Sequence, residues 1–223
     1  MPLIQEKDRE FIKKEFEALK TPVKLVVFYS DSGCDYCKET RQIAEELAEL
    51  SDKVSVEVHN FDSERDLADK FGVDKVPATI VMSEDKDYGI RYFGIPSGYE
   101  FMSLLEDIIM VGTGNVDLQQ STLDVLKSIK EPVHMKVFIT PTCPYCPRAV
   151  RMSHKFAYVS DFIRGDMIES MEFPALANQY NVMAVPRTVI NDRTYLEGAA
   201  PENMFIEKIL EALSIAEPVK TWK

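Results

Sequence analysis

One pattern is written twice in this chain, 109 positions apart. Cys34-Asp35-Tyr36-Cys37 returns as Cys143-Pro144-Tyr145-Cys146, and Val76-Pro77 returns as Val185-Pro186, each proline 43 positions after the first cysteine of its half. The correspondence extends around the prolines. Phe71-Gly72-Val73-Asp74-Lys75-Val76-Pro77-Ala78-Thr79-Ile80 and Tyr180-Asn181-Val182-Met183-Ala184-Val185-Pro186-Arg187-Thr188-Val189 agree in character: aromatic, turn residue, valine, two variable positions, Val-Pro, one variable position, threonine, aliphatic. A repeat of this length is a whole folding unit, so the expectation is two copies of one domain. Gly112-Thr113-Gly114-Asn115 is the expected seam, which divides the chain into units 1–114 and 115–223, each long enough to bury its own core.

Hydrophobic periodicity gives both units one order of elements: helix, strand, helix, strand, helix, strand, strand, helix. Ile4, Phe11, Ile12, Phe16 and Leu19 share one face of an opening helix that Thr21-Pro22 ends. Val23 to Tyr29 is apolar except for Lys24, as in a central strand covered on both faces. A helix from Cys37 to Leu50 follows, then alternation at Val54, Val56 and Val58, then a short helix with Ser63 as its expected N-cap and Gly72 as its stop. Thr79–Met82 and Tyr88–Phe93 form a hairpin, and a helix over Tyr99–Val111 closes the unit. The second unit repeats this with helix 118–129, strand 133–139, helix 146–158, a weaker strand near 162–168, a short helix near 174–180, strands 188–190 and 194–197, and a closing helix marked by Ile206, Ile209, Leu210 and Leu213. The fold class is therefore α/β, with a central mixed sheet flanked by helices in each unit.

Both cysteine pairs stand where an apolar strand gives way to a helix, and these are the chain's four cysteines. A dithiol at that place reads as redox chemistry. Met1 to Asp8 lacks the basic start and apolar core of a signal peptide, so the chain is expected in the cytosol, where a catalytic disulfide is ordinary and a structural one is not. No stretch approaches the roughly 20 apolar residues of a membrane span. A net charge of −11 argues against nucleic acid and anionic membrane surfaces as partners.

Cys-x-x-Cys at a strand-to-helix junction, with Val-Pro 43 positions later just before an edge hairpin, resembles the thioredoxin fold. Two such units in tandem, both with Cys-x-Tyr-Cys, are similar to the protein disulfide oxidoreductases of thermophilic archaea and bacteria, and Cys143-Pro144-Tyr145-Cys146 is similar to the site of glutaredoxins. The resemblance implies thiol-disulfide exchange through redox-active disulfides without a further cofactor or metal. It also implies that Val76-Pro77 and Val185-Pro186 are cis-proline loops facing the dithiols, where an extended substrate segment pairs with backbone groups. The implied partners are proteins carrying thiols or disulfides, with a thioredoxin-reductase-like flavoprotein as the source of electrons. Two features depart from thioredoxin. Gly33 and Thr142 stand where tryptophan precedes the first cysteine, and Phe28 and Val137 stand where thioredoxin has a buried acid. The proton acceptor for the resolving thiol is thus left open among Glu57, Lys24 and water.

Exchange requires an exposed thiolate, which the unpaired amides and dipole of a helix start stabilise. Cys34 and Cys143 are accordingly the expected nucleophiles, and Cys37 and Cys146, within the first turn, the resolving thiols. Asp31 and Asp35 bracket Cys34, while Arg148, Arg151 and Arg187 lie near Cys143, so Cys143 is expected to be the more acidic thiol. Tyr36 and Tyr145 read as packing groups and partial lids. His59, His134 and His154 read as surface or satisfied core, and Trp222 as an anchor in the tail. Two alternatives stand beside the leading reading: an electron relay between a flavoprotein reductase and a peroxidase, and a scaffold in which the four cysteines bind zinc.

Overall fold

The computed structural model describes residues 2–214; Trp222 lies outside the described residues. In the first half α1 (Glu6–Phe16), β1 (Val23–Tyr29), α2 (Cys37–Ala48), β2 (Val54–Asn60), α3 (Arg65–Lys70), β3 (Ala78–Ser83), β4 (Asp87–Phe93) and α4 (Glu100–Thr113) follow one another. The second half runs α5 (Gln120–Ser128), β5 (Val133–Ile139), α6 (Cys146–Val159), β6 (Ile163–Glu169), α7 (Pro174–Gln179), β7 (Arg187–Ile190), β8 (Thr194–Glu197) and α8 (Glu202–Ser214). In each half the apolar middle strand pairs parallel on one side and antiparallel on the other: β1 with β2 and β3, β5 with β6 and β7. The hairpin partners β4 and β8 complete each set of four.

The two sets are joined into one sheet of order β2-β1-β3-β4-β6-β5-β7-β8. The joining pair is β4 and β6, parallel from Ile90↔Gly165 to Phe93↔Ile168. Two expectations change as a result. The first unit's hairpin is not at an edge, because β4 has a neighbour on both sides. The strand that looks weak in sequence, β6, is internal, and all seven of its residues are buried. Arg164 and Asp166 mislead the pattern because their polar groups are satisfied at the joint. Arg164 donates to Asp166 at 2.7 Å and to the Gly72 carbonyl at 3.0 Å, and His134 shares 2.6 Å with the other oxygen of Asp166. Burial pushes the Asp166 carboxyl up, but Arg164 and then His134 outweigh it and hold the group well below the usual carboxylate range.

Apolar side chains fill both sides of this sheet, and each apolar cluster draws on both halves of the chain. One holds Leu25, Val27, Tyr92, Leu104 and Ile108 together with Val137, Val150, Phe156 and Ile209. The other holds Val26, Phe28, Ile80 and Phe93 with Phe138, Ile168 and Val189. Each such side chain contributes about 1.5–3 kcal/mol when fully buried, so the joint is held by core packing as well as by strand pairing. At Gly165 a Cβ would stand 3.0 Å from the Ser153 backbone, so α6 lies directly on β6. Smaller departures from expectation have local causes. The helix α3 begins at Arg65 instead of being capped by Ser63, since the Asn60 side chain accepts from the Asp62 and Ser63 amides at 3.0 and 3.1 Å. Phe11 and Leu210 are exposed, whereas the other residues named on those two helix faces are buried or half-buried. Among the described residues no helix is long and apolar enough to cross a membrane.

Candidate active site

The helices α2 and α6 start at Cys37 and Cys146, immediately after the loops that leave β1 and β5. Each pair closes on itself as a disulfide, with Cα atoms 5.6 Å apart for Cys34–Cys37 and 5.5 Å for Cys143–Cys146. Within each pair the first cysteine is the more exposed. Cys34 is half-buried against 4% exposure for Cys37, and Cys143 is 8% exposed against 0% for Cys146. The Ser30 amide donates to Cys37 Sγ at 3.3 Å, a contact that favours the charged form of that sulfur.

Both Val-Pro bonds are cis. The Pro77 carbonyl accepts from the Gly94 amide at 2.9 Å and the Pro186 carbonyl from Gly198 at 2.8 Å, so each hairpin strand tethers its proline loop. The second loop reaches the dithiol, with Cys143 Sγ 3.7 Å from the Val185 carbonyl oxygen. At the first, Val76 and Pro77 share a groove of about 390 Å³ with Gly33, Cys34 and Asp35. Glu172 and Phe173, which precede α7 in the second half, line the same groove.

Three carboxyl groups near these loops carry no signal in the sequence. Glu172 accepts from the Ile95 amide at 2.6 Å, and burial, with repulsion from Glu169 and Asp35, raises its pKa to about 7. Burial also pushes Glu169 up, with the Met171 and Glu172 amides partly opposing it. Glu100, the first residue of α4, is fully buried, and its pKa is raised to about 7 by burial, with the Ser103 hydroxyl partly offsetting and Asp107 adding to the shift. The helices α4 and α6 run side by side in the same direction. The Tyr99 amide, just before α4, donates to Pro141, just before the second dithiol, at 3.1 Å. Two turns further on, Asp107 meets His154 Nδ1 at 2.5 Å and Arg151 Nε at 3.3 Å. Glu100, Ser103 and Asp107 share one face of α4 at helical spacing, the Ser103 hydroxyl donates to Glu100 at 2.7 Å, and the pairings at Tyr99 and Asp107 put Glu100 level with the start of α6, where Cys146 is the first residue. The proton acceptors suggested by sequence do not reach the first dithiol. Lys24 and Glu57 are bound to each other at 2.7 Å, and Lys24 lies five residues, roughly 16 Å, before the end of β1.

Side chains expected to favour the Cys143 thiolate are partly committed elsewhere. Arg151 pairs with Glu106 and Asp107, and Arg187 pairs with Glu197 at 2.5 Å, which leaves Arg148 exposed near the start of α6. Tyr36 and Tyr145 are largely exposed and do not pack into the core. His59 lies between Glu57 and Glu64, and His154 is buried against Asp107 and Tyr92.

Residues 13–109 match the thioredoxin-like domain family and residues 133–211 the thioredoxin domain family. Among solved structures, a protein disulfide oxidoreductase from Aeropyrum pernix k1 is 31% identical, with a TM-score of 0.86 and 92% of each chain covered. This chain belongs to the tandem thioredoxin-fold protein disulfide oxidoreductases. The alkylhydroperoxide reductase AhpF of Enterococcus faecalis (V583) is 25% identical with a TM-score of 0.85, over 92% of this chain and 98% of that one. Curated relatives of this tandem-fold oxidoreductase include a protein named NADH dehydrogenase in Bacillus subtilis (strain 168), 28% identical over 83% of the chain. Another is an alkyl hydroperoxide reductase component from Staphylococcus aureus (strain MRSA252), 27% identical over 92%. The chain spans about a third of the length of these two relatives.

Proposed function

We propose that this protein is a dithiol-disulfide oxidoreductase for protein substrates, exchanging at Cys34/Cys37 and at Cys143/Cys146 with no cofactor beyond the two disulfides. The observation that carries the reading is the repeated geometry: a disulfide at a helix start, its first cysteine the more exposed, beside a cis-proline loop. In the reductive direction Cys34 or Cys143 attacks a substrate sulfur, one substrate thiol leaves, and Cys37 or Cys146 then attacks the mixed disulfide to release the second. Val76 and Val185 present backbone groups to the substrate strand, held in place by the carbonyl tethers of Pro77 and Pro186. Glu100, neutral or charged according to pH near 7, accepts the proton of the Cys146 thiol. A cytosolic setting keeps the dithiols supplied with electrons. Insulin reduction with dithiothreitol tests the reading: the wild-type protein is expected to accelerate precipitation, and a rate no faster than that of a variant with all four cysteines changed to serine would remove it.

A second reading is favoured by the alkyl hydroperoxide reductase relatives: the chain relays electrons from a flavoprotein to one peroxidase. A relay reduces its single partner and leaves insulin and scrambled ribonuclease largely untouched, whereas the leading reading expects both to react.

The thiols themselves are expected to differ. Asp31 and Asp35 flank the Cys34 loop, and no acid stands at the matching Thr140 and Pro144, so Cys143 is expected to remain the more acidic even though Arg151 and Arg187 are paired. Alkylation rates against pH, in Cys34→Ser/Cys37→Ser and Cys143→Ser/Cys146→Ser proteins, measure each remaining site. An equal or lower pKa at Cys34 would show that backbone amides outweigh these carboxylates.

A further inference from the structure

The 109-residue correspondence holds in the folded chain, since β2 and β6, α3 and α7, and the starts of β3 and β7 all differ by that offset. Rims of the two dithiol sites can therefore be compared position by position. Asp35 and Asp62 line the first groove, and Asp31 and Asp74 are chain neighbours of its lining residues; the counterparts of Asp31, Asp35, Asp62 and Asp74 in the second unit are Thr140, Pro144, Met171 and Met183. Each acid has become a neutral residue, and the two methionines are 77% and 90% exposed.

The joint between units sharpens the contrast. Because the halves are arranged head to tail, β6 and the segment after it lie against the first unit's hairpin, while among the described residues the corresponding β8 has no strand beyond it. The second unit thus adds Glu172 to the Cys34 groove. The Glu172 carboxyl lies beside Gly94, whose amide holds the Pro77 carbonyl. Cations near this groove are mostly occupied: Lys75 pairs with Asp74, and Arg65 with Asp62 at 3.2 Å, leaving Lys38 exposed after Cys37. A groove of about 390 Å³ that contains a reactive disulfide, a proline loop and excess carboxylate favours a cationic visitor.

We propose that the Cys34 groove selects disulfide partners whose flanking residues are Lys or Arg, and that Glu172, supplied by the second unit, is a specificity-determining residue of that groove. The proposal rests on the exchange reading of the same site. In the step concerned, Cys34 Sγ attacks one partner sulfur, the partner S–S bond breaks, and its second sulfur leaves and takes a proton. Cys37 Sγ then attacks Cys34 Sγ and frees the other partner thiol, so two electrons pass from the protein dithiol to the partner disulfide. Bound basic side chains would raise the rate of encounter and hold the partner over the proline loop. Such steering weakens with salt.

Single-turnover exchange tests this with three synthetic peptides, each closed by one disulfide whose cysteines are flanked by Lys, Ala or Glu. The protein is reduced and freed of reductant, in a first-site form (Cys143→Ser/Cys146→Ser) and a second-site form (Cys34→Ser/Cys37→Ser). The second-site form meets the same peptides and so normalises their intrinsic reactivity. The expected result, at pH 8 where Glu172 is ionised, is a ratio of Lys-flanked to Glu-flanked rate constants about tenfold larger at the first site at low ionic strength, shrinking in high salt. Glu172→Gln in the first-site form is expected to cut that excess about threefold while the Ala-flanked peptide still reacts. Equal ratios at the two sites overturn the proposal, and so does an excess that Glu172→Gln leaves unchanged. No exchange with any of the three peptides would instead remove the function reading, and the proposal with it.

Discussion

Glu100→Gln is expected to make the protein more stable and its second site slower. The Glu100 carboxyl titrates near 7 in the folded chain against 4.5 for an unperturbed glutamate, chiefly because it is buried. Below about pH 4.5 both folded and unfolded chains hold the proton, and the group costs nothing. As pH rises, the unfolded chain releases the proton first, so stability falls until the folded carboxyl also ionises near 7. The total loss is about 3 kcal/mol at 1.36 kcal/mol per unit. Glutamine, neutral at every pH, removes that loss: urea midpoints of variant and wild type should coincide near pH 4 and diverge in favour of the variant near pH 8. The same change removes the carboxyl proposed to accept the Cys146 proton. Second-site turnover, measured in the Cys34→Ser/Cys37→Ser background, should drop about 10²-fold and lose its inflection near pH 7. A more stable protein with a slower site separates a lost proton acceptor from a damaged fold. Unchanged turnover with the stability gain intact would assign Glu100 to packing alone.

The largest effect is expected at the proposed nucleophiles. Cys34→Ser together with Cys143→Ser should lower insulin reduction at least about 10³-fold, because a serine hydroxyl at either helix start does not form the sulfur-sulfur bond on which exchange depends. Each single substitution should leave the other site working, since each disulfide closes within its own half of the chain. A single substitution as damaging as the double would mean that electrons pass through both dithiols in series.

Much of this architecture is legible because the repeat carries its own internal check. The order of elements, the cysteine positions at the starts of α2 and α6 and the Val-Pro turns before β3 and β7 all follow from local pattern, read twice. What stays hidden depends on how the halves meet. Arg164, Asp166 and Glu169 make β6 look like a marginal strand, and only its position between β4 and β5 explains how such residues are buried. Glu100 reads in sequence as an ordinary acid at a helix start, favourable to the helix dipole. Its burial comes from the packing of α4 against α6, β3, β1 and α1, and nothing local announces those neighbours. Glu172 is hidden for the same reason, since it serves a site in the other half of the chain. Arg151 illustrates the converse: its sequence position suggests support for Cys143, yet Asp107 and Glu106 of α4 take the charge.

Trapping the mixed disulfide tests the central claim most directly. A protein carrying Cys37→Ser and Cys146→Ser retains both attacking sulfurs and lacks both resolving ones. Mixed with scrambled ribonuclease, it should accumulate covalent adducts that dithiothreitol releases, with peptide mapping placing the bonds at Cys34 and Cys143. Absence of adducts at both cysteines, while the wild-type protein still reduces ribonuclease, would contradict the assignment of nucleophiles and the exchange mechanism built on it.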